Sequence, residues 1–121
     1  MKYMHDYKKL QVWQDAVDMA VLVYELTGAF PKAEQYGLTS QLRRSAVSVP
    51  SNIAEGSGRN NPGEFDHFLG IAAGSSYELE TQLIVSSRLG YSSDTEIDKL
   101  LDKLNVNQKM IYKLKSKLVK R

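Results

Sequence analysis

Ser93-Asp-Thr-Glu-Ile-Asp-Lys-Leu-Leu-Asp-Lys-Leu-Asn-Val-Asn-Gln-Lys-Met-Ile-Tyr-Lys-Leu-Lys-Ser-Lys-Leu118 carries the most regular pattern in the chain. Ile97, Leu100, Leu104, Asn107, Ile111, Leu114 and Leu118 recur at alternating steps of three and four. A helix of 3.6 residues per turn places all of them on one face, whereas a strand would divide them between two. The seam has heptad form with one polar member, Asn107, which either fixes the register of a packed neighbour or meets solvent. Ser93-Asp-Thr-Glu96 ahead of it is a capping box, in which the serine oxygen accepts a backbone N–H three residues on. A helix this long with one narrow apolar seam needs partner helices to cover it.

The rest of the chain supplies three. The first is expected from about Asp6 to Thr27. Leu10, Trp13, Val17, Ala20, Tyr24 and Thr27 form one apolar stripe, and Val12, Ala16, Met19, Val23 and Leu26 form a second. Two stripes make this helix apolar over most of its girth, which implies a second covered face and hence self-association. Gly28 and Pro31 end it. The second helix is expected from about Glu34 to Glu55, with Leu38, Leu42, Ala46, Val49 and Ile53 facing inward and Pro50 kinking it. The stripe stays in phase across Pro50, which favours one kinked helix over two short ones. The third opens at Asn61-Pro-Gly-Glu64, an N-cap followed by proline at the first helical position, and runs to Leu89 before Gly90. Its middle, Gly70 to Ser76, is rich in small residues, and close approach to the small-residue face of the second helix would explain the glycines. Four helices with short connections predict an all-α, up-down-up-down antiparallel four-helix bundle forming a single domain over residues 1–121.

Composition narrows the function classes. The 121 residues include no Cys, which excludes disulfides and thiolate-ligated zinc or iron–sulfur centres. The longest apolar run, Met19 to Tyr24, is far short of the roughly 20 residues of a membrane span. The N-terminus lacks the apolar core of a signal peptide, so a soluble cytoplasmic protein is expected. The net charge of +2 conceals two unlike parts: residues 1–104 carry 10 basic and 14 acidic groups, and residues 105–121 carry six basic groups and no acid.

Few residues suggest chemistry. Glu64-Phe-Asp-His67 has the Glu-x-x-His spacing of carboxylate-bridged di-iron bundles, but those sites need a second such pair and two further glutamates. His5 is the other histidine and lacks that spacing, so no metal and no cofactor is expected. Gly56-Ser-Gly-Arg59 lacks the Gly-Lys-Ser/Thr and the preceding strand of a phosphate-binding loop. No serine sits in a nucleophile elbow with a histidine and an acid. The chain is therefore expected not to be an enzyme.

Two groups of polar residues remain. Arg43 or Arg44 with Glu55 or Glu78, near Asn52, reads either as an ion-pair network fixing helix register or a subunit contact, or as an anion-binding ring. Lys109, Lys113, Lys117 and Lys120, with Arg121, form a basic stripe opposite the Ile111, Leu114 and Leu118 seam. It reads as a solvated helix end that complements the dipole, or as a surface for phosphate backbones, with Arg59 either a further anion contact or a partner of Glu55. In an oligomer the tails would add together in steering and avidity.

Several segments carry a family resemblance: Leu10-Gln-Val-Trp-Gln-Asp-Ala16, Tyr36-Gly-Leu-Thr-Ser-Gln-Leu-Arg-Arg-Ser-Ala46, Val49-Pro-Ser-Asn-Ile-Ala-Glu-Gly-Ser-Gly-Arg59 and Phe68-Leu-Gly-Ile-Ala-Ala-Gly-Ser-Ser-Tyr-Glu-Leu-Glu80. In order and spacing the chain resembles the four-helix-bundle proteins encoded in intervening sequences of bacterial 23S ribosomal RNA genes. The resemblance implies that fold, a cytoplasmic location, a homopentameric ring and, through genomic setting, association with ribosomal RNA. The bundle is also similar in shape to accessory proteins of diversity-generating retroelements, which bind nucleic acid through basic surfaces; that likeness is one of fold. The family pattern falls on Arg43, Arg44, Asn52, Glu55, Gly56, Arg59, Gly74, Ser75 and Glu78. A protein-interaction scaffold with no nucleic-acid role is the alternative expectation.

Overall fold

The computed structural model of the chain describes residues 6–119. Asp6 caps a single 3-10 turn at Tyr7–Lys9, its carboxylate accepting from the Lys8 N–H at 3.2 Å. The first α-helix, α1 (Gln11–Thr27), begins only after Leu10, which is extended (φ −79°, ψ 123°). This start is later than the expected Asp6. The intervening turn brings the Tyr7 ring edge-on to Trp13 at 5.1 Å and sets Leu10 against the core.

α2 (Leu38–Ser57) likewise starts later than the expected Glu34. Lys32–Glu34 forms another 3-10 turn. The Glu34 carboxylate reaches forward to accept the Leu38 N–H at 3.0 Å. It thereby serves a helix end that has no side-chain cap at Gly37. α2 passes through Pro50 as one helix to Ser57, in keeping with the unbroken phase of its stripe. α3 (Pro62–Arg88) is capped by Asn61, whose Oδ1 accepts the Glu64 N–H at 2.8 Å. α4 (Asp94–Leu118) is capped by Ser93, whose Oγ accepts the Glu96 N–H at 3.2 Å. Gly90 supplies the α3–α4 turn with a φ of 75°. That conformation favours glycine.

The helices form a four-helix bundle in which each packs on two neighbours, α1 and α4 closing the ring. α2 and α3 share the most extensive contact, and α1 and α4 the least. No strand occurs among the described residues. The seam that predicted α4 is buried as expected from Ile97 through Ile111. Of the two stripes on α1, Val12, Ala16, Met19, Val23 and Leu26 enter the core. In the other, Ala20 and Thr27 are buried, Trp13 and Val17 are half-buried, and Tyr24 is exposed.

Two apolar clusters stack along the bundle. One gathers Met19, Val23, Leu42, Leu79, Leu83 and Leu104; the other gathers Val49, Ile53, Phe65, Leu69 and Ile111. Each fully buried Leu, Ile or Phe contributes about 1.5–3 kcal/mol over its exposed state. Asn107 is buried and its Nδ2 donates to the Val12 carbonyl at 3.1 Å, tying α4 to α1. Its Oδ1 is buried with no hydrogen-bond partner. No helix of the described residues is long and apolar enough to cross a membrane.

Candidate nucleic-acid interface and interhelical contacts

The basic end of α4 divides into outward and inward lysines. Lys109, Lys113 and Lys117 are exposed, and none has a carboxylate partner among the described residues. Lys113 and Lys117 border an open cleft of about 340 Å³ shared with Leu10, Gln11, Met110 and Leu114. The cleft sets them beside the segment that carries Lys8 and Lys9, both exposed. Lys120 and Arg121 lie outside the described residues. Lys115, on the same segment, turns to α3: its Nζ bonds both the carboxylate and the carbonyl of Asp66 at 3.0 Å. Its ammonium passes 3.4 Å from where a Cβ on Gly70 would stand. Tyr112, 68% exposed, interleaves with these lysines. Its place three residues after Lys109 puts it on the same helix face.

Arg59 is held at the α2–α3 junction. Its guanidinium pairs with Glu55 at 2.7 Å and Glu64 at 3.8 Å and lies over the Phe68 ring, 4.8 Å from the centroid. Its charge is thus directed at two carboxylates. Pairing with Glu55 is one of the two roles the sequence offers for Arg59, whereas Glu64 reads there as part of a Glu-x-x-His pattern. His67 packs edge-on to Phe68 at 5.5 Å. Among the described residues no three His, Asp or Glu gather as a metal would require.

Arg43 and Arg44 do not pair with Glu55 or Glu78 within the chain. Arg43 instead crosses to α1, where its Nε donates to Thr27 Oγ1 at 2.9 Å and its guanidinium lies 4.5 Å from the Tyr24 ring centroid. Buried Thr27 donates in turn to the Val23 carbonyl at 2.8 Å. A cation at this place also suits the α1 C-terminus. Arg44 and Glu78 border one polar groove of about 200 Å³ between α2 and α3 without bonding each other. Ser45, Ser48, Ser75 and Gln82 line the same groove.

These side chains, with Asn52 beside them, form a polar ladder between α2 and α3. Asn52 Nδ2 donates to the Ser48 carbonyl at 2.8 Å and to its Oγ at 3.0 Å, Ser48 and Ser75 share a bond at 2.8 Å, and Ser45 donates to Gln82 at 2.7 Å. The expected close approach of the α3 glycines to α2 is not what forms. A Cβ on Gly74 would meet nothing within 4 Å, and Gly70 faces Lys115. Gly56 on α2 is the tight one: a Cβ there would stand 2.7 Å from Phe68 Cβ and 2.9 Å from Phe65 Cδ1. In the sequence Gly56 reads as a helix terminator, a role that conceals its packing.

An antiparallel helical bundle with a polar α2–α3 seam and a lysine-bearing fourth helix is the class these observations define. The family described as 23S rRNA-intervening sequence protein matches residues 8–113, and the chain belongs to that family. A crystal structure of a protein of unknown function from the S23 ribosomal protein family of Bacteroides thetaiotaomicron is similar in fold. It has a TM-score of 0.70 and 22% identity, with 91% of this chain and 99% of that chain covered. No curated protein sequence matches the chain significantly.

Proposed function

We propose that this protein is a non-enzymatic helical bundle that assembles with copies of itself and binds structured RNA through the basic end of α4. The observation that carries the reading is the exposed row Lys109, Lys113 and Lys117, free of carboxylate partners among the described residues and interleaved with Tyr112. Lysines in this arrangement hold phosphate backbones without reading sequence. Membership of a family named for 23S rRNA intervening sequences makes RNA the natural polyanion to test. Self-association is supported by exposed apolar side chains on α1 and α2, Val21 at 53% and Val47 at 42%. One chain alone leaves these side chains in water.

The test is a mobility shift of structured RNA against protein concentration at low and at physiological salt. Binding is expected to weaken with salt, and the triple change Lys109→Glu, Lys113→Glu, Lys117→Glu is expected to abolish it at physiological salt. Absence of a shift at low salt, with the protein's oligomeric state verified by sedimentation, refutes the reading. The same exposed apolar faces also favour a protein-interaction scaffold. Capture of a protein partner that survives nuclease and the triple lysine change, with no RNA shift, would establish that reading instead.

A further inference from the structure

Tyr36 is 90% exposed, the most exposed of the large apolar and aromatic side chains among the described residues, and it makes no hydrogen bond or ring contact within them. It stands at the end of the bundle remote from the α4 lysines. With Tyr24, Thr39, Ser40, Arg43 and Arg44 it borders an open groove of about 420 Å³ between the last turn of α1 and the first turns of α2. Tyr24 is 45% exposed and carries the Arg43 guanidinium on its ring. Arg43 is fixed there by Thr27, so one aromatic–guanidinium stack is preformed. Arg44 has no hydrogen-bond or ion-pair partner among the described residues.

The groove's chemistry selects its occupant. It contains two guanidinium groups, two aromatic faces, two aliphatic hydroxyls and the Gln35 carboxamide, and no Leu, Ile, Val or Met. The apolar face of a protein helix would find nothing there to bury against. No carboxylate borders it. Glu34 is directed to the Leu38 N–H and the Tyr91 hydroxyl, and Glu25 borders the cleft on the α4 side of α1. Glu78 lies across the α2–α3 groove, with Arg44 on the ridge between the two. A ligand with planar rings joined by anionic links meets both features, and its rings must be unpaired to stack on tyrosine.

We propose that the groove formed by Tyr24, Tyr36, Arg43 and Arg44 binds unpaired, single-stranded RNA, with bases stacked on Tyr36 and on the Tyr24–Arg43 pair and phosphates held by the guanidiniums. The site shares with the lysine surface only the class of partner. The two lie roughly 20 Å apart along α1, by the helical rise from its first turn to its last. An RNA with a duplex part and a single-stranded part would engage both.

The test uses a short single-stranded RNA carrying 2-aminopurine, whose fluorescence is quenched when the base stacks. The full chain is expected to quench it at low salt. Tyr36→Ala and Arg44→Glu are each expected to weaken binding by about tenfold, and Tyr36→Phe to leave it unchanged. The triple lysine-to-glutamate variant is expected to retain the quench, so failure of this site and failure of the lysine surface are told apart. Because Tyr36 and Arg44 have no partners within the described residues, their replacement leaves the fold intact, as a circular-dichroism melt checks. The proposal is overturned by any of four results: no quench with the full chain, full quench with Tyr36→Ala and Arg44→Glu, equal binding of a base-free ribose-phosphate oligomer, or dissociation of an oligomer by Tyr36→Ala, which would assign the groove to a second copy.

Discussion

Two glycines separate a packing requirement from an unused freedom. At Gly56 any Cβ enters the Phe65 and Phe68 side chains, and neither contact is the far end of a flexible group. Gly56→Ala is therefore expected to destabilise the chain by about 1–3 kcal/mol, the usual cost of overpacking. At Gly74 the space is open and the backbone helical. Gly74→Ala is thus expected to stabilise by about 0.5–1 kcal/mol. Urea unfolding of the two variants beside the parent checks both signs. Glu34 acts at the same scale. The backbone N–H of Leu38, first, and the side-chain hydroxyl of Tyr91 hold its carboxyl below the ordinary value of 4.5, while Tyr91, donating to Glu34, is raised above 10.0. A carboxyl lowered on folding adds stability that is present above its unfolded value and lost as pH falls through its folded value. A phenol raised on folding adds stability that is present below its unfolded value and lost as pH rises through its folded value. Thermal melts of Glu34→Gln are thus expected to show a weaker loss below about pH 4.5 than the parent, and a weaker loss above about pH 10.

Among the elements, α4 was the most legible, because its buried seam obeys one period and its start carries a capping box. The beginnings of α1 and α2 were not. Both are displaced by 3-10 turns held by nearby side-chain contacts that do not follow the apolar period: the Tyr7 ring on Trp13, and the Glu34 carboxylate on the Leu38 N–H. Distance along the chain hid two cation contacts. Arg43 bonds Thr27, 16 positions away, and Lys115 bonds Asp66, 49 positions away; no local spacing announces either. The exposure of Tyr36 and Tyr112 was equally hidden, since tyrosine is at home in core and surface alike. Asn107 was legible as an exception in the seam, and the structure gives it a partner in the α1 backbone. Its isosteric replacement tests the weakest of the four helix contacts. Asn107→Asp removes the donor to Val12 and buries a carboxylate without a charge partner, so a loss of about 2–4 kcal/mol is expected at neutral pH. Burial raises the carboxyl's folded value, so that loss shrinks as pH falls and the protonated acid donates again. Denaturant titrations at neutral and acid pH read the difference; an equal loss at both pH values counts against a charge effect.

For the whole molecule, the charge of +2 misstates what a polyanion would meet. One helix end carries the unopposed lysines, and the lysine bound to Asp66 does not belong to that set. Each lysine that neutralises a phosphate releases a counterion, so log Kobs falls with log salt by about 0.9 per contact on a duplex. A single chain offers Lys109, Lys113 and Lys117 with Lys8 and Lys9 beside them, and Lys120 and Arg121 follow in sequence; these seven groups limit its slope on a duplex to about −6.3. If several copies present their α4 ends to one RNA, the slope is steeper than that bound. The proposed assembly is expected to exceed it, with Lys117→Glu flattening the slope by about 1 for every participating chain and lowering affinity alike for RNAs of different sequence. Lys115→Met is expected to leave the slope unchanged, since that ammonium is already committed to Asp66. Filter binding across a salt series reads all three. A slope no steeper than about −6.3 would count against several chains meeting one RNA, and a flattening by Lys115→Met equal to that of Lys117→Glu would mean that Lys115 leaves Asp66 to meet the RNA.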